Sequence, residues 1–324
     1  MPVNILIMIH GMTPDLEPLD LTQTYDKFWE ALIQRKRGLP DLIDKKISIQ
    51  WGHERPGSTS PLRDDEKLTH AQQFTHDQVS YDAVRADSSP NNILMTGFFG
   101  RDWGIPFLRG VSMSLRESII LCGLGDVAYY ISPEGEKQVR KVVYQQALCE
   151  LDEYLDEDDV RFHFFGHSLG VTLIHDFLYG LFAPDRIPDF VRDKQGDPES
   201  CQRYEKWRVK AQDGTLKLGS LASAASQIPI FIMRKQDLVD RLFNERPLDP
   251  SVLGINAADR IQWTNFYDID DILGFPTRRL YAPNAALKEI QIDCGDQPGS
   301  AHTGYWENNT VIRETANLFD DNCR

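Results

Sequence analysis

One serine in this chain sits where its hydroxyl could become a nucleophile. Gly166-His167-Ser168-Leu169-Gly170 is a G-x-S-x-G pattern. It lies between an apolar run, 160–165, that predicts a buried strand, and residues 171–182, which predict a helix with apolar side chains over much of its surface. So sharp a strand-to-helix turn strains the serine backbone and lifts its hydroxyl clear of the sheet. Gly166 and Gly170 carry no Cβ, which lets strand and helix approach closely, with His167 between the first glycine and the serine. The N–H groups that open the helix, including that of Leu169, face the place where negative charge would grow on an attacked carbonyl.

A serine hydroxyl is a poor nucleophile until a base takes its proton, and the base must be oriented by an acid. Of the eight histidines, His10 and His167 belong to glycine turns, His163 to the strand before the serine, and His175 to the helix after it. His53, His70 and His76 fall in an irregular stretch. That leaves His302, in a loop between the last predicted strand and the last predicted helix, as the candidate base. For the acid, the run 267–273 (YDIDDIL) offers Asp268, Asp270 and Asp271. Asp271 is preferred because it precedes apolar Ile272-Leu273 and stands far enough past the strand to reach under an imidazole. Asp268 and Asp270 stay open as alternatives, or as turn-forming and helix-capping residues. A second oxyanion donor is expected after an early strand, where His10-Gly11-Met12 ends the run 4–9, and the candidate is the Met12 N–H. His10-Gly11 reads equally well as a strand end with a structural histidine.

The elements that must position these groups follow an alternating rhythm. Strands are predicted at 4–9, 46–51, 160–165, 216–222, 261–267 and 287–292, and helices at 22–37, from about 132 to 155, 171–182 and 309–319. Ser132-Pro133-Glu134 is a helix start, with a hydroxyl cap and proline in the first turn. Strand, helix, strand in sequence implies an α/β protein with a mainly parallel sheet. Residues 53–124 break the rhythm and read as a cap or lid inserted into a single domain spanning 1–324. Phe98, Phe99, Trp103 and Phe107 within it are candidates to line an apolar acyl pocket. Residues 183–214 are polar and proline-rich, and predict a surface loop with at most short helices.

Composition narrows the classes. A net charge of -14 disfavours nucleic acid and anionic membrane surfaces as partners. No apolar stretch is long enough to predict a membrane span, and the apolar N-terminal run reads as a core strand, with neither a basic leader nor a small-residue cleavage site. Five cysteines, at 122, 149, 201, 294 and 323, show no CxxC spacing, so free thiols in a cytoplasmic protein are expected.

The order Ser, Asp, His, with G-x-S-x-G and an early His-Gly strand end, resembles the α/β-hydrolase superfamily over most of the chain. GDVAYY (125–130), GHSLG, NFYDIDDILGFP (265–276) and AHTGYW (301–306) resemble bacterial lipase-like or esterase-like hydrolases. The resemblance implies Ser168 as nucleophile, Asp271 as acid, His302 as base, and Met12 and Leu169 as oxyanion donors, with no cofactor. A small-molecule ester is the expected substrate, and the sequence leaves monomer and homodimer both open. Because the chain starts almost at the His-Gly strand, about six strands are expected rather than eight. GHSLG is shared by esterases, lipases, thioesterases and acyltransferases, so it points to a mechanism more than to a substrate. Two other classes compete: a binding protein with an unused triad, and a metal hydrolase using His53, His70 and His76-Asp77. The six-residue spacing of His70 and His76 does not put them on one helical face, as i,i+4 ligands would be.

Overall fold

Six short runs pair side by side into one sheet. The strands are β1 (Val3–Ile9), β2 (Lys45–Ile49), β3 (Val160–His167), β4 (Leu216–Ala224), β5 (Trp263–Asp268) and β6 (Leu287–Ile292). They are ordered β2-β1-β3-β4-β5-β6, and every neighbouring pair is parallel. The computed structural model describes residues 2–11, 21–51, 130, 133–184, 198–232, 236–244, 246–257, 259–295 and 298–324. The chain divides into two compact units: Met1–Gly11, Leu21–Trp51 and Lys137–Arg324 form one, Met12–Asp20 and Gly52–Glu136 the other. All six strands belong to the first unit. Met12, Ser132, Phe98, Phe99, Trp103, Phe107, the histidines at 53, 70 and 76, and the proposed insertion 53–124 lie outside the described residues.

Side chains alternate across a strand, so a strand buried on both faces must be apolar at nearly every position. In β3, Phe162 and Phe164 face one way, and His163 and Phe165 the other. Helices cover both faces. On the His163 side, α1 (Thr22–Arg35) and the C-terminal helix Asn309–Cys323 pack Tyr25, Phe28, Leu32, Val311, Ala316 and Phe319 against Leu6, Met8, Phe165 and Phe266. On the other side lie the helices Pro133–Leu148, Leu169–Phe182 and Pro198–Asp213, whose Tyr144, Phe177 and Trp207 pack their rings against Phe162 or against one another. The helix Leu169–Phe182 is buried almost all round, which explains its apolar residues on every side.

Three expectations change. The polar stretch 183–214 carries a helix, Pro198–Asp213, because Cys201, Tyr204 and Trp207 recur every three residues and sink into the core despite charged neighbours. The helix predicted to reach 155 ends at Leu148, and a single 3-10 turn follows at Asp152–Tyr154. His302 lies in a short helix, Pro298–Thr303, rather than in a loop.

One irregularity is built into the sheet. The β3–β4 register slips after Phe162, so that His163 pairs with Ser220 and Gly219 is passed over. A Cβ on Gly219 would collide with the His163 imidazole, so the skipped residue has to be glycine. Among the described residues, no helix is long and apolar enough to cross a membrane.

Candidate active site

The strand order reverses direction between β1 and β3, since β2 lies outward of β1 while β4 to β6 run the other way. In open parallel sheets, ligands bind past the carboxyl ends of the strands at such a point. Gly11 follows β1 there and Ser168 follows β3. Ser168 has φ 55 and ψ −127, a region that L-residues rarely occupy. Its N–H donates to the Ala224 carbonyl of β4 at 2.9 Å, which ties the strained turn to the sheet. The turn depends on glycine on both sides. A Cβ at Gly170 would collide with the Ile9 and His10 carbonyls, and one at Gly166 would stand 2.6 Å from Ile174 Cδ1. Gly11 faces Ser168 so closely that a Cβ there would meet the Ser168 side chain.

The serine, histidine and aspartate favoured from sequence come together. His302 Nε2 is 2.9 Å from Ser168 Oγ, and His302 Nδ1 is 2.9 Å from Asp271 Oδ1. All three residues are buried. With Asp271 ionised, Nδ1–H donates to the carboxylate, Nε2 is left as an acceptor, and the Ser168 hydroxyl donates to it. This is the tautomer a general base needs. The other two carboxylates point elsewhere. Asp268 accepts from Asp270 N–H at 2.9 Å and from Cys294 N–H at 2.5 Å, fastening the ends of β5 and β6 to each other, and Asp270 is exposed.

Asp271 is supported on both oxygens. Leu273 N–H donates to Oδ1 at 2.9 Å and the Tyr305 hydroxyl to Oδ2 at 3.0 Å, while that hydroxyl accepts from Asp268 N–H at 2.9 Å. Burial opposes the charge, but the bonds from His302, Leu273 and Tyr305 outweigh it and hold the carboxyl below its ordinary pKa. Gly274 makes room for this arrangement, because a Cβ there would collide with the Asp271 carboxylate.

The two histidines in the glycine turns serve as fasteners. His167 Nε2–H donates to the His302 backbone carbonyl at 2.7 Å, fixing the backbone of the candidate base. Burial, together with neighbouring His302, pushes the His167 pKa down to about 3, so the ring stays neutral. His10 stacks on Trp51 with ring centroids 5.5 Å apart. Its Nδ1–H donates to the Gly11 carbonyl at 2.6 Å, and its Nε2 accepts from Trp51 N–H at 3.2 Å. The turn beside Ser168 is thereby tied to the end of β2.

Leu169 is the first residue of its helix, where N–H groups have no intrahelical acceptor. Three contributors were not singled out from sequence. Tyr305 lies inside AHTGYW, but only its place under Asp271 gives it a role. Gly274 lies inside NFYDIDDILGFP, but only its closeness to the Asp271 carboxylate gives it a role. Gln227, whose Nε2–H donates to Ser168 Oγ at 3.0 Å, follows β4 in a stretch of small residues that gave no cue. Among the described residues, no three His, Cys, Asp or Glu side chains are grouped so as to hold a metal ion. The fold thus defines the chain as an α/β protein built on a six-stranded parallel sheet. Comparison with protein-family models, curated proteins and solved structures finds no match.

Proposed function

We propose that the chain is a serine carboxylester hydrolase of the α/β-hydrolase type, working through an acyl-enzyme on Ser168. The observation that carries this reading is the hydrogen-bonded line Asp271–His302–Ser168, ending on a serine with φ 55 at the reversal point of the sheet. In the first half-reaction His302 Nε2 takes the Ser168 proton as Oγ attacks the ester carbonyl, and Asp271 stabilises the imidazolium that forms. The Leu169 N–H, with Met12 as second donor, holds the oxyanion. His302 then gives the proton to the departing alkoxide. In the second half-reaction His302 takes a proton from water as its oxygen attacks the acyl carbon, and returns it to Oγ when the acid leaves.

The substrates proposed are small to medium acyl esters, with the apolar residues of 53–124 as candidate pocket. The same line of residues would serve a lipid ester or a thioester, and a series of esters of increasing acyl length separates these readings. Ser168→Ala should abolish turnover of a 4-nitrophenyl acyl ester and labelling by a fluorophosphonate probe, while the circular dichroism spectrum stays unchanged. Turnover at the wild-type rate in that variant refutes the proposal.

A further inference from the structure

Gln227 meets Ser168 with one end of its amide, and among the described residues it meets no hydrogen-bond partner with the other. Its side chain is buried, 1% exposed, and while Nε2–H donates to Ser168 Oγ at 3.0 Å, Oε1 is unpaired among the described residues. Buried polar atoms left unpaired are exceptions in folded proteins, and each calls for an explanation. The backbone beneath is firmly held: the Gln227 carbonyl accepts from Ile230 and Phe231 N–H, and the neighbouring Ser226 carbonyl accepts from Phe275 N–H.

Turning the amide over would not satisfy it. Oε1 would then face Ser168 Oγ and compete with His302 for the single hydroxyl proton. In the observed orientation, Oγ accepts from Gln227 and donates to His302, so each group has one consistent role. The bond to Ser168 therefore fixes the direction of the unpaired oxygen. Since the oxygen and nitrogen of an amide are only about 2.2 Å apart, Oε1 lies within about 5 Å of Ser168 Oγ. At that range it can reach the first carbons of an acyl group attached to the serine.

We propose that Gln227 is a specificity-determining residue whose Oε1 accepts a hydrogen bond from an O–H or N–H carried by the acyl group near its carbonyl. The preferred substrates are then hydroxyacyl or amidoacyl esters rather than plain alkyl esters. A donor in the substrate satisfies an acceptor that nothing else satisfies, whereas an alkyl chain leaves it buried and unpaired. The inference rests on the hydrolase reading of Ser168.

The test compares 4-nitrophenyl butyrate with its 2-hydroxy and 3-hydroxy counterparts, which differ from it by a single hydroxyl. Wild-type protein should show kcat/KM at least about 10-fold higher for one hydroxy ester than for butyrate. In Gln227→Met, similar in length but without a strong acceptor, the ratio should fall to about one, even if all rates drop because Ser168 has lost a partner. Equal kcat/KM for the three esters in wild-type protein overturns the proposal, and so does a preference that survives in Gln227→Met. The wild-type comparison decides by itself should the variant not fold. If wild-type protein neither turns over any of the esters nor is labelled by a fluorophosphonate at Ser168, the hydrolase reading falls first and the specificity proposal with it.

Discussion

Ser168 can be replaced in two ways that separate its backbone from its hydroxyl. Ser168→Ala and Ser168→Gly both remove Oγ, and with it the contacts to His302 and Gln227. They differ only in the Cβ, held at φ 55 and ψ −127. Keeping a Cβ in so sparsely populated a region costs roughly 1–3 kcal/mol, whereas the extra freedom of glycine in the unfolded chain costs only about 0.4–1 kcal/mol. The glycine variant should therefore be more stable than the alanine variant by about 1 kcal/mol, reversing the usual order of these two residues. Urea unfolding followed by tryptophan fluorescence measures this directly. The two variants expose nearly the same surface on unfolding, so the slopes should match and the difference should appear in the midpoint. Both variants should be inactive, so stability is read without interference from function. An alanine variant as stable as the glycine variant, or more so, refutes the claim that this backbone is strained.

Tyr305→Phe removes a donor to the Asp271 carboxylate and an acceptor of Asp268 N–H, both buried. A loss of about 3 kcal/mol is expected by denaturant titration, with reduced ester turnover because Asp271 is less firmly held; a loss below about 1 kcal/mol would contradict the support described. Acid should destabilise the fold early. Burial lowers the pKa of His163 to about 3, of His167 to about 3 and of His175 to about 4, against an ordinary value of 6.5 for each in the unfolded chain. Below 6.5 the unfolded chain takes up protons that the folded chain refuses, so stability present above that pH is lost as the pH falls toward 4, at a slope approaching 4 kcal/mol per unit for the three rings together. The depressed carboxyl of Asp271 contributes a further loss at still lower pH. Urea midpoints that stay flat between pH 7 and 5 would show that these rings are not buried in their neutral form.

Much of the scaffold was legible in the sequence because its signals are local. Strands buried on both faces must be apolar at nearly every position, which marked β1 and β3, and the sharp turn after β3 needs small residues on both sides, which marked Gly166 and Gly170. The order of strand, helix and strand implied parallel pairing, since a parallel neighbour requires a crossover. By contrast, the helix Pro198–Asp213 escaped notice because three buried residues, Cys201, Tyr204 and Trp207, were outnumbered by charged ones; only the core waiting for them made the stretch helical.

The residue types gathered around Ser168 were also readable, but not their partners. Sequence favoured Asp271 but kept Asp268 and Asp270 as alternatives, because three carboxylates within four positions differ mainly in where the turn after β5 aims them. Tertiary structure aims Asp271 at His302 and spends Asp268 on joining the ends of β5 and β6. Gln227 lies 59 positions from Ser168 and carries no periodicity or motif, so its contact exists only once β3 and β4 are paired. Sequence alone determined that a serine would be presented at a strained turn between a buried strand and a buried helix, since that follows from neighbours along the chain. Which groups meet that serine depends on strands far apart in sequence ending at the same edge of one sheet, and only the folded chain decides that.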